Sequence, residues 1–203
     1  MIMRTEADAL NVETITLGAV NTNCHIVCSR GEAIVIDPAC DGEAIYEKTD
    51  AIGVCVKYIL LTHGHFDHIG GVDALARLTG ARIYVHALDV ELLCDGNKNA
   101  SIPFGIGGVV CEEQPVTFDD GDTFTVGDVT LTARHTPGHT RGSSCFLADG
   151  AAFTGDTVFT DGGYGRTDLY GGDRHAIYDS LRSILPELKG RTVYPGHGIN
   201  KDF

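Results

Sequence analysis

Thr62-His63-Gly64-His65-Phe66-Asp67-His68 follows directly on the run Lys57-Tyr58-Ile59-Leu60-Leu61. That run reads as a strand buried on both faces, the pattern of a sheet covered on two sides. Its abrupt end in three histidines and an aspartate puts polar groups where a layered α/β protein presents its strand ends. Outward from this point, strand-like and helix-like stretches alternate along the chain. Residues 12–17, 25–28 and 33–36 are short β-rich runs, and Asp41-Gly42-Glu43 opens a helical stretch to about residue 51. After the histidines, apolar residues recur at helical spacing over 69–78, and Gly80 closes the helix. A strand at 82–86 and a short helix at 88–93 follow. Residues 95–115 are polar and Gly-rich, a loop length uncommon in compact domains and often used for lids and binding loops. Within it, 97–108 is a candidate lid, with an ordinary surface loop as the equal alternative. An all-β half comes next, with strands at 116–118, 123–126, 129–133, 144–147 and 152–154. A helix over 175–188 and a strand at 192–194 end the pattern. Two strand-rich halves, each with helices outside, predict an α/β protein layered helix–sheet–sheet–helix.

A length of 203 residues fits one domain over 1–203, and an apolar share of 43% can fill a sizeable core. The 26 glycines exceed the usual share of about 7% without a three-residue period, so they mark turns. Fifteen basic against 28 acidic residues leave a net charge of −13, which repels phosphate backbones and argues against nucleic acid. No basic amphipathic stretch suggests a membrane surface. Seven cysteines with no C-x-x-C pair, and no signal peptide in residues 1–11, predict free thiols in a reducing cytoplasm. Cys24, Cys55 and Cys145 lie in apolar runs and read as core, whereas Cys111 lies in a polar stretch and is the candidate reactive thiol.

Histidine placement carries the chemistry. Beyond the first cluster, Thr136-Pro137-Gly138-His139-Thr140 and Tyr194-Pro195-Gly196-His197-Gly198 set a histidine in closely similar surroundings. An acid follows a buried-looking strand in Thr154-Gly155-Asp156-Thr157. Imidazole and carboxylate suit first-row divalent ions, and five histidines with two aspartates are too many ligands for one ion. Two ions are the natural arrangement: His63 and His65 can approach one together, while Asp67 and His68 can face a second. His25, His86, His135 and His175 lie outside these motifs and read as solvated or structural.

The set Thr62-His63-Gly64-His65-Phe66-Asp67-His68, Gly138-His139, Gly155-Asp156 and Gly196-His197 resembles the metallo-β-lactamase-fold superfamily, over about residues 12–198. Within it, the motifs 136–140, 153–157, Gly165-Arg166-Thr167-Asp168 and 195–198 are most similar to the short single-domain glyoxalase II (hydroxyacylglutathione hydrolase) group. The resemblance implies a four-layer αββα sandwich with a metal site at the open edge of the two sheets. It implies His63, His65 and His139 on a first metal, Asp67, His68 and His197 on a second, and Asp156 bridging them. The ions implied are zinc, with iron and manganese as the other metals of the family. The implied activity is hydrolysis of a hydroxyacyl-glutathione or similar small anionic thioester by a hydroxide shared between the ions, with Asp67 orienting the nucleophile. Arg166 would meet a substrate carboxylate; pairing with Asp168 or Asp161 is the structural alternative. The helical glutathione-binding domain of the classical enzymes is not expected in this chain, which leaves room for a different or broader thioester. Persulfide dioxygenases share the fold and a similar Gly-Arg-Thr-Asp segment, and imply instead one iron on His63, His139 and Asp156. A lactonase, a β-lactamase and a non-catalytic metal-binding module are the remaining readings.

Overall fold

The computed structural model describes residues 10–203. Strands β1 (Asn11–Leu17), β2 (Thr22–Ser29) and β3 (Glu32–Ile36) form an antiparallel meander. The chain then crosses through α1 (Gly42–Ala51) to β4 (Cys55–Leu60), parallel to β3. Helices α2 (Phe66–Ile69) and α3 (Val72–Thr79) lead to β5 (Arg82–His86), and α4 (Val90–Leu93) precedes the long loop. The second sheet takes β7 (Thr123–Val126), β8 (Val129–His135), β9 (Ser144–Ala148) and β10 (Ala151–Gly155) as antiparallel neighbours. Helix α5 (Arg174–Leu188) returns the chain to β11 (Thr192–Pro195), parallel to β10, and β12 (Lys201–Asp202) pairs antiparallel with β11.

Alternation along the strands builds the layers. On β2 and β3, Cys24, Ile26, Ala33 and Val35 point to α1 and α3, where they meet Ile45, Val72 and Leu75. Their neighbours Val27, Ile34 and Ile36 point the other way, against Leu131, Phe146 and Phe153 of the second sheet. A third cluster joins Cys145, Leu147, Ala152 and Val193 to Ile184 and Leu188 of α5. The result is two mixed sheets face to face with helices outside both, the αββα order expected. Burial on both faces also explains the unbroken apolar stretches Ile26-Val27-Cys28 of β2 and Ala33-Ile34-Val35-Ile36 of β3.

Three expectations are corrected. The predicted strand 116–118 exists as β6 (Val116–Phe118), but it pairs in parallel with β5 and belongs to the first sheet. Phe118 nevertheless reaches the core between the sheets, 5.4 Å from Phe146 centroid to centroid, which stabilises the strand's place by about 1.5–3 kcal/mol. The predicted helix 69–78 is broken into α2 and α3 at Gly70-Gly71. Their amides donate to Ala39 O and Pro38 O, and a Cβ on Gly70 would lie 2.6 Å from Ala39 O. Contact with another loop overrides the helical period there. Cys24 and Cys145 are core, but Cys55, the first residue of β4, is exposed. Among the described residues no helix is long and apolar enough to cross a membrane.

Candidate metal centre

The strand ends deliver all seven predicted ligands to one place. His63 follows β4 across Leu61-Thr62, and His65, Asp67 and His68 lie on the turn into α2 and within it. His139 comes from the β8–β9 loop, Asp156 from the end of β10 and His197 from the turn after β11. Gly138, at φ 137°, lets the His139 loop lie against α5: a Cβ there would sit 2.3 Å from the Ile177 amide nitrogen.

Two groups of ligand atoms result. His65 Nδ1 lies 2.8 Å from His139 Nε2, which lies 3.2 Å from His63 Nε2. Nitrogens on a tetrahedral ion at 2.0–2.1 Å stand about 3.3 Å apart, so this trio is spaced for one ion. In the other group Asp67 Oδ2 is 3.5 Å from His68 Nε2 and 3.3 Å from His197 Nε2. Asp156 stands between them, with Oδ1 3.6 Å from His68 Nε2, and Oδ2 3.5 Å from His139 Nε2 and 3.6 Å from His197 Nε2.

Hydrogen bonds behind the imidazoles aim their bare nitrogens inward. His139 Nδ1–H donates to Arg166 O at 2.7 Å. His68 Nδ1–H donates to Asp37 Oδ2 at 2.9 Å, and the Thr62 hydroxyl donates to the same oxygen at 2.6 Å. That leaves the Thr62 oxygen to accept from His63 Nδ1–H at 3.0 Å. Asp37 therefore fixes two ligands, the kind of outer partner that sets ligand orientation at metal sites. On the far side, Asp89 accepts from the Gly64 and Gly142 amides and the Thr140 hydroxyl, tying the His63–His65 loop to the His139 loop. Thr22 Oγ1 donates to Asp67 Oδ2 at 2.8 Å. Neither Asp37 nor Asp89 was foreseen. Asp37 carried a readable signal, an acid just past a buried strand, as with Asp156.

The electrostatics divide the site. Burial, then the neighbouring imidazoles, push His63 and His65 well below the ordinary histidine range, so both are neutral ligands in waiting. Burial also opposes charge on His68, but Asp67, Asp37 and Asp156 outweigh it and push that imidazole up to about 10. His197 is raised in the same way, burial being overcome by Asp67 and Asp156. Asp67 is held well below the carboxylate range: burial works against it, but His68, His197 and Thr22 prevail. This half of the site seeks positive charge. Two of its atoms, His68 Nε2 and Asp156 Oδ1, are buried with no hydrogen-bond partner, which buried polar groups rarely tolerate. Facing orphans of this chemistry fit a divalent cation.

The remaining histidines are structural or exposed, as expected. His25 Nε2–H donates to Pro195 O at 3.1 Å, and its Nδ1 accepts from Thr14 Oγ1 at 3.0 Å. His86 accepts from the Leu88 amide and stacks at 4.0 Å on His135, whose Nε2–H donates to Arg141 O. His175 is exposed at the start of α5. Burial lowers His25 from 6.5 to about 4. Between those values the unfolded chain binds a proton that the folded chain refuses, so stability falls as pH drops through that window. The expected loss is about 3 kcal/mol from this group. Denaturant titrations at pH 7 and pH 4 check it, with His25→Gln showing the smaller drop.

Cys111 does not match its expected reactivity. Its thiol donates to Asp73 Oδ1 at 2.9 Å, and burial and that carboxylate push it far up, so it stays protonated. Arg166 lies on the rim with Nε and Nη2 on the two Asp168 oxygens, both at 2.7 Å, the pairing foreseen as its structural alternative. The loop 97–108 is held at its base, where Asn99 bonds Leu92 O and Val109 O and accepts from the Phe66 amide. Ala100 and Phe104 from this loop line the cavity of about 240 Å³ that opens onto the ligands.

The fold and the paired ligand groups define a metal-binding αββα protein, and the chain belongs to the metallo-β-lactamase superfamily, whose family model matches residues 17–197. Among curated relatives, it is 32% identical over 190 residues to a probable metallo-hydrolase, YqgX of Bacillus subtilis, covering 92% of this chain and 89% of that protein. It is 30% identical over 187 residues to a probable polyketide biosynthesis zinc-dependent hydrolase, BaeB of Bacillus velezensis, covering 88% and 73%. Similar solved structures include the B3 metallo-β-lactamase BLEG-1 (TM-score 0.88, 32% identity, 94% and 93% of the chains). TTHA1623 in a di-iron-bound form is also similar (TM-score 0.83, 30%, 94% and 94%). So is ETHE1 from Myxococcus xanthus (TM-score 0.75, 25%, 93% and 76%).

Proposed function

We propose that the protein is a dinuclear metallohydrolase that cleaves a small anionic thioester, a hydroxyacyl-glutathione or a similar compound. The reading rests on one observation: a second group, Asp67, His68 and His197, stands beside the His63, His65 and His139 trio with Asp156 between them. His63, His65 and His139 would hold one ion, Asp67, His68 and His197 the other, and Asp156 both. Zinc is the metal we favour, with iron or manganese as alternatives. Two divalent ions supply, when bound, an activated water at neutral pH and polarisation of a carbonyl oxygen. The chain's own residues do the rest. Asp67, kept ionised, accepts a hydrogen bond from the attacking water and so aims its lone pair at the carbonyl carbon. As the tetrahedral centre collapses, the C–S bond breaks and the electrons leave on sulfur. A thiol of pKa about 8.5 departs as thiolate without a proton, so this reaction requires no dedicated general acid. Arg166 would meet a substrate carboxylate by exchange for Asp168.

The test is hydrolysis of a D-hydroxyacyl-glutathione by protein reconstituted with zinc, manganese or iron, with metal content measured and His139→Ala alongside. Turnover with two ions, lost in the variant, is the expected result; no turnover of this or any other thioester in any metal form refutes the proposal. A second reading, the single-iron persulfide dioxygenase, is favoured by the position of Asp156 Oδ2, 3.5 Å from His139 Nε2 on the trio's side. One bound iron with oxygen uptake on glutathione persulfide would establish it instead.

A further inference from the structure

The cavity beside the ligands is walled by Val20, Phe66, Ala100, Phe104, Phe159 and Leu169. Apart from the candidate ligands, Arg166 is the one charged side chain among the described residues that line it. Its charge is answered within the chain. The guanidinium edge is taken by both Asp168 oxygens, and its face lies 5.7 Å over the Phe104 ring. Phe104 in turn meets Phe66 at 6.0 Å, and the Phe66 backbone is fixed by Asn99 O. The arginine therefore holds an aromatic wall in place, and a substrate carboxylate would have to displace a bidentate partner to reach it.

We propose that this wall makes the enzyme selective for thioesters whose acyl group is apolar and about the size of a benzene ring, with Phe104 a specificity-determining residue. The inference rests on the thioesterase part of the reading and, within it, prefers a thioester with an apolar acyl group to the anionic hydroxyacyl-glutathione. A cavity of roughly 150 Å³ accommodates benzene, so about 240 Å³ takes such a group together with the scissile carbonyl and sulfur. A tripeptide leaving group would extend beyond the cavity. Its two carboxylates would find no cation on the wall except the one already paired, whereas an apolar acyl group gains by leaving water.

The experiment uses the metal-reconstituted protein and thioesters of one neutral thiol, N-acetylcysteamine, carrying acetyl, butanoyl or phenylacetyl groups, with D-lactoyl-glutathione for comparison. The expected kcat/KM rises about 10- to 100-fold from acetyl to phenylacetyl. Phe104→Ala lowers the phenylacetyl value about tenfold and leaves acetyl within about twofold, and Phe104→Leu recovers part of the loss. Phe104 is half exposed, so neither variant opens the core. Calorimetry of the product acids gives a readout independent of turnover: phenylacetate binds more tightly than acetate, with a negative heat-capacity change that shrinks in Phe104→Ala. A flat thioester series with equal binding of the two acids overturns the inference, as does lactoyl-glutathione outpacing phenylacetyl. If no thioester reacts but phenylacetate still binds in a Phe104-dependent way, the thioesterase reading falls and the apolar selectivity stands.

Discussion

Asp156→Ala is expected to lose both ions and its turnover together. Its carboxylate faces both groups, Oδ2 towards His139 of the first and His197 of the second, and Oδ1 towards His68 of the second, so truncation would remove a ligand from each. It also leaves His68 without one of the three carboxylates that draw positive charge to that half of the site. In the proposed hydrolase the ions would supply several kcal/mol of transition-state stabilisation, so kcat/KM should fall at least about a thousandfold. Elemental analysis after dialysis, paired with rate measurements at saturating metal, gives the answer. Retention of both ions with near-normal rates would remove Asp156 from the bridging position.

Asp37→Ala should do nearly as much damage from outside the ligand set. Asp37 accepts from the Thr62 amide, the Thr62 hydroxyl and His68 Nδ1–H, all buried. Truncation strands three donors and frees two histidines to rotate. The expected cost is about 3–5 kcal/mol of stability, with metal affinity lowered a further 10- to 100-fold. Asp37→Asn probes the two effects: it keeps the volume and one acceptor oxygen, but its amide nitrogen then faces a buried donor and the charge is gone, so only part of the stability returns and affinity stays low. Denaturation of the metal-free protein and competition with a chromogenic chelator measure the two quantities independently. An alanine variant with unchanged affinity would show that Thr62 alone orients these ligands.

The sequence was legible wherever local chemistry and global position agree. Buried strands are apolar on both faces, and residues just past them stand at the open edge; both facts are written along the chain, and His63, Asp156 and His197 were read that way. Sheet membership is not local. Nothing within Val116-Thr117-Phe118 says which neighbour it will pair with, and its short separation from β7 pointed to the wrong sheet. Gly70-Gly71 broke a regular helical period because residues 38–39 approach there. Asp89 gave no signal of its own, since its partners Gly64, Thr140 and Gly142 come from two distant loops. For Arg166 the sequence offers both a substrate carboxylate and Asp168 as partners, and the folded chain pairs it with Asp168.

Four of the seven candidate ligands follow β4 of the first sheet, and three arise from the second. An ion held among them would be a rivet through two halves of the molecule that otherwise meet through packing and a few hydrogen bonds, among them Asn23 N–H to Gly196 O and Ser144 N–H to Thr62 O. Ligand-coupled stabilisation then acts across that seam, about 2.7 kcal/mol at a free metal concentration one hundred times the dissociation constant. Scarcity of metal would loosen the junction between the halves as well as stopping catalysis. The amount of intact protein in a cell would thus follow its metal supply, with the unloaded form the better substrate for proteases.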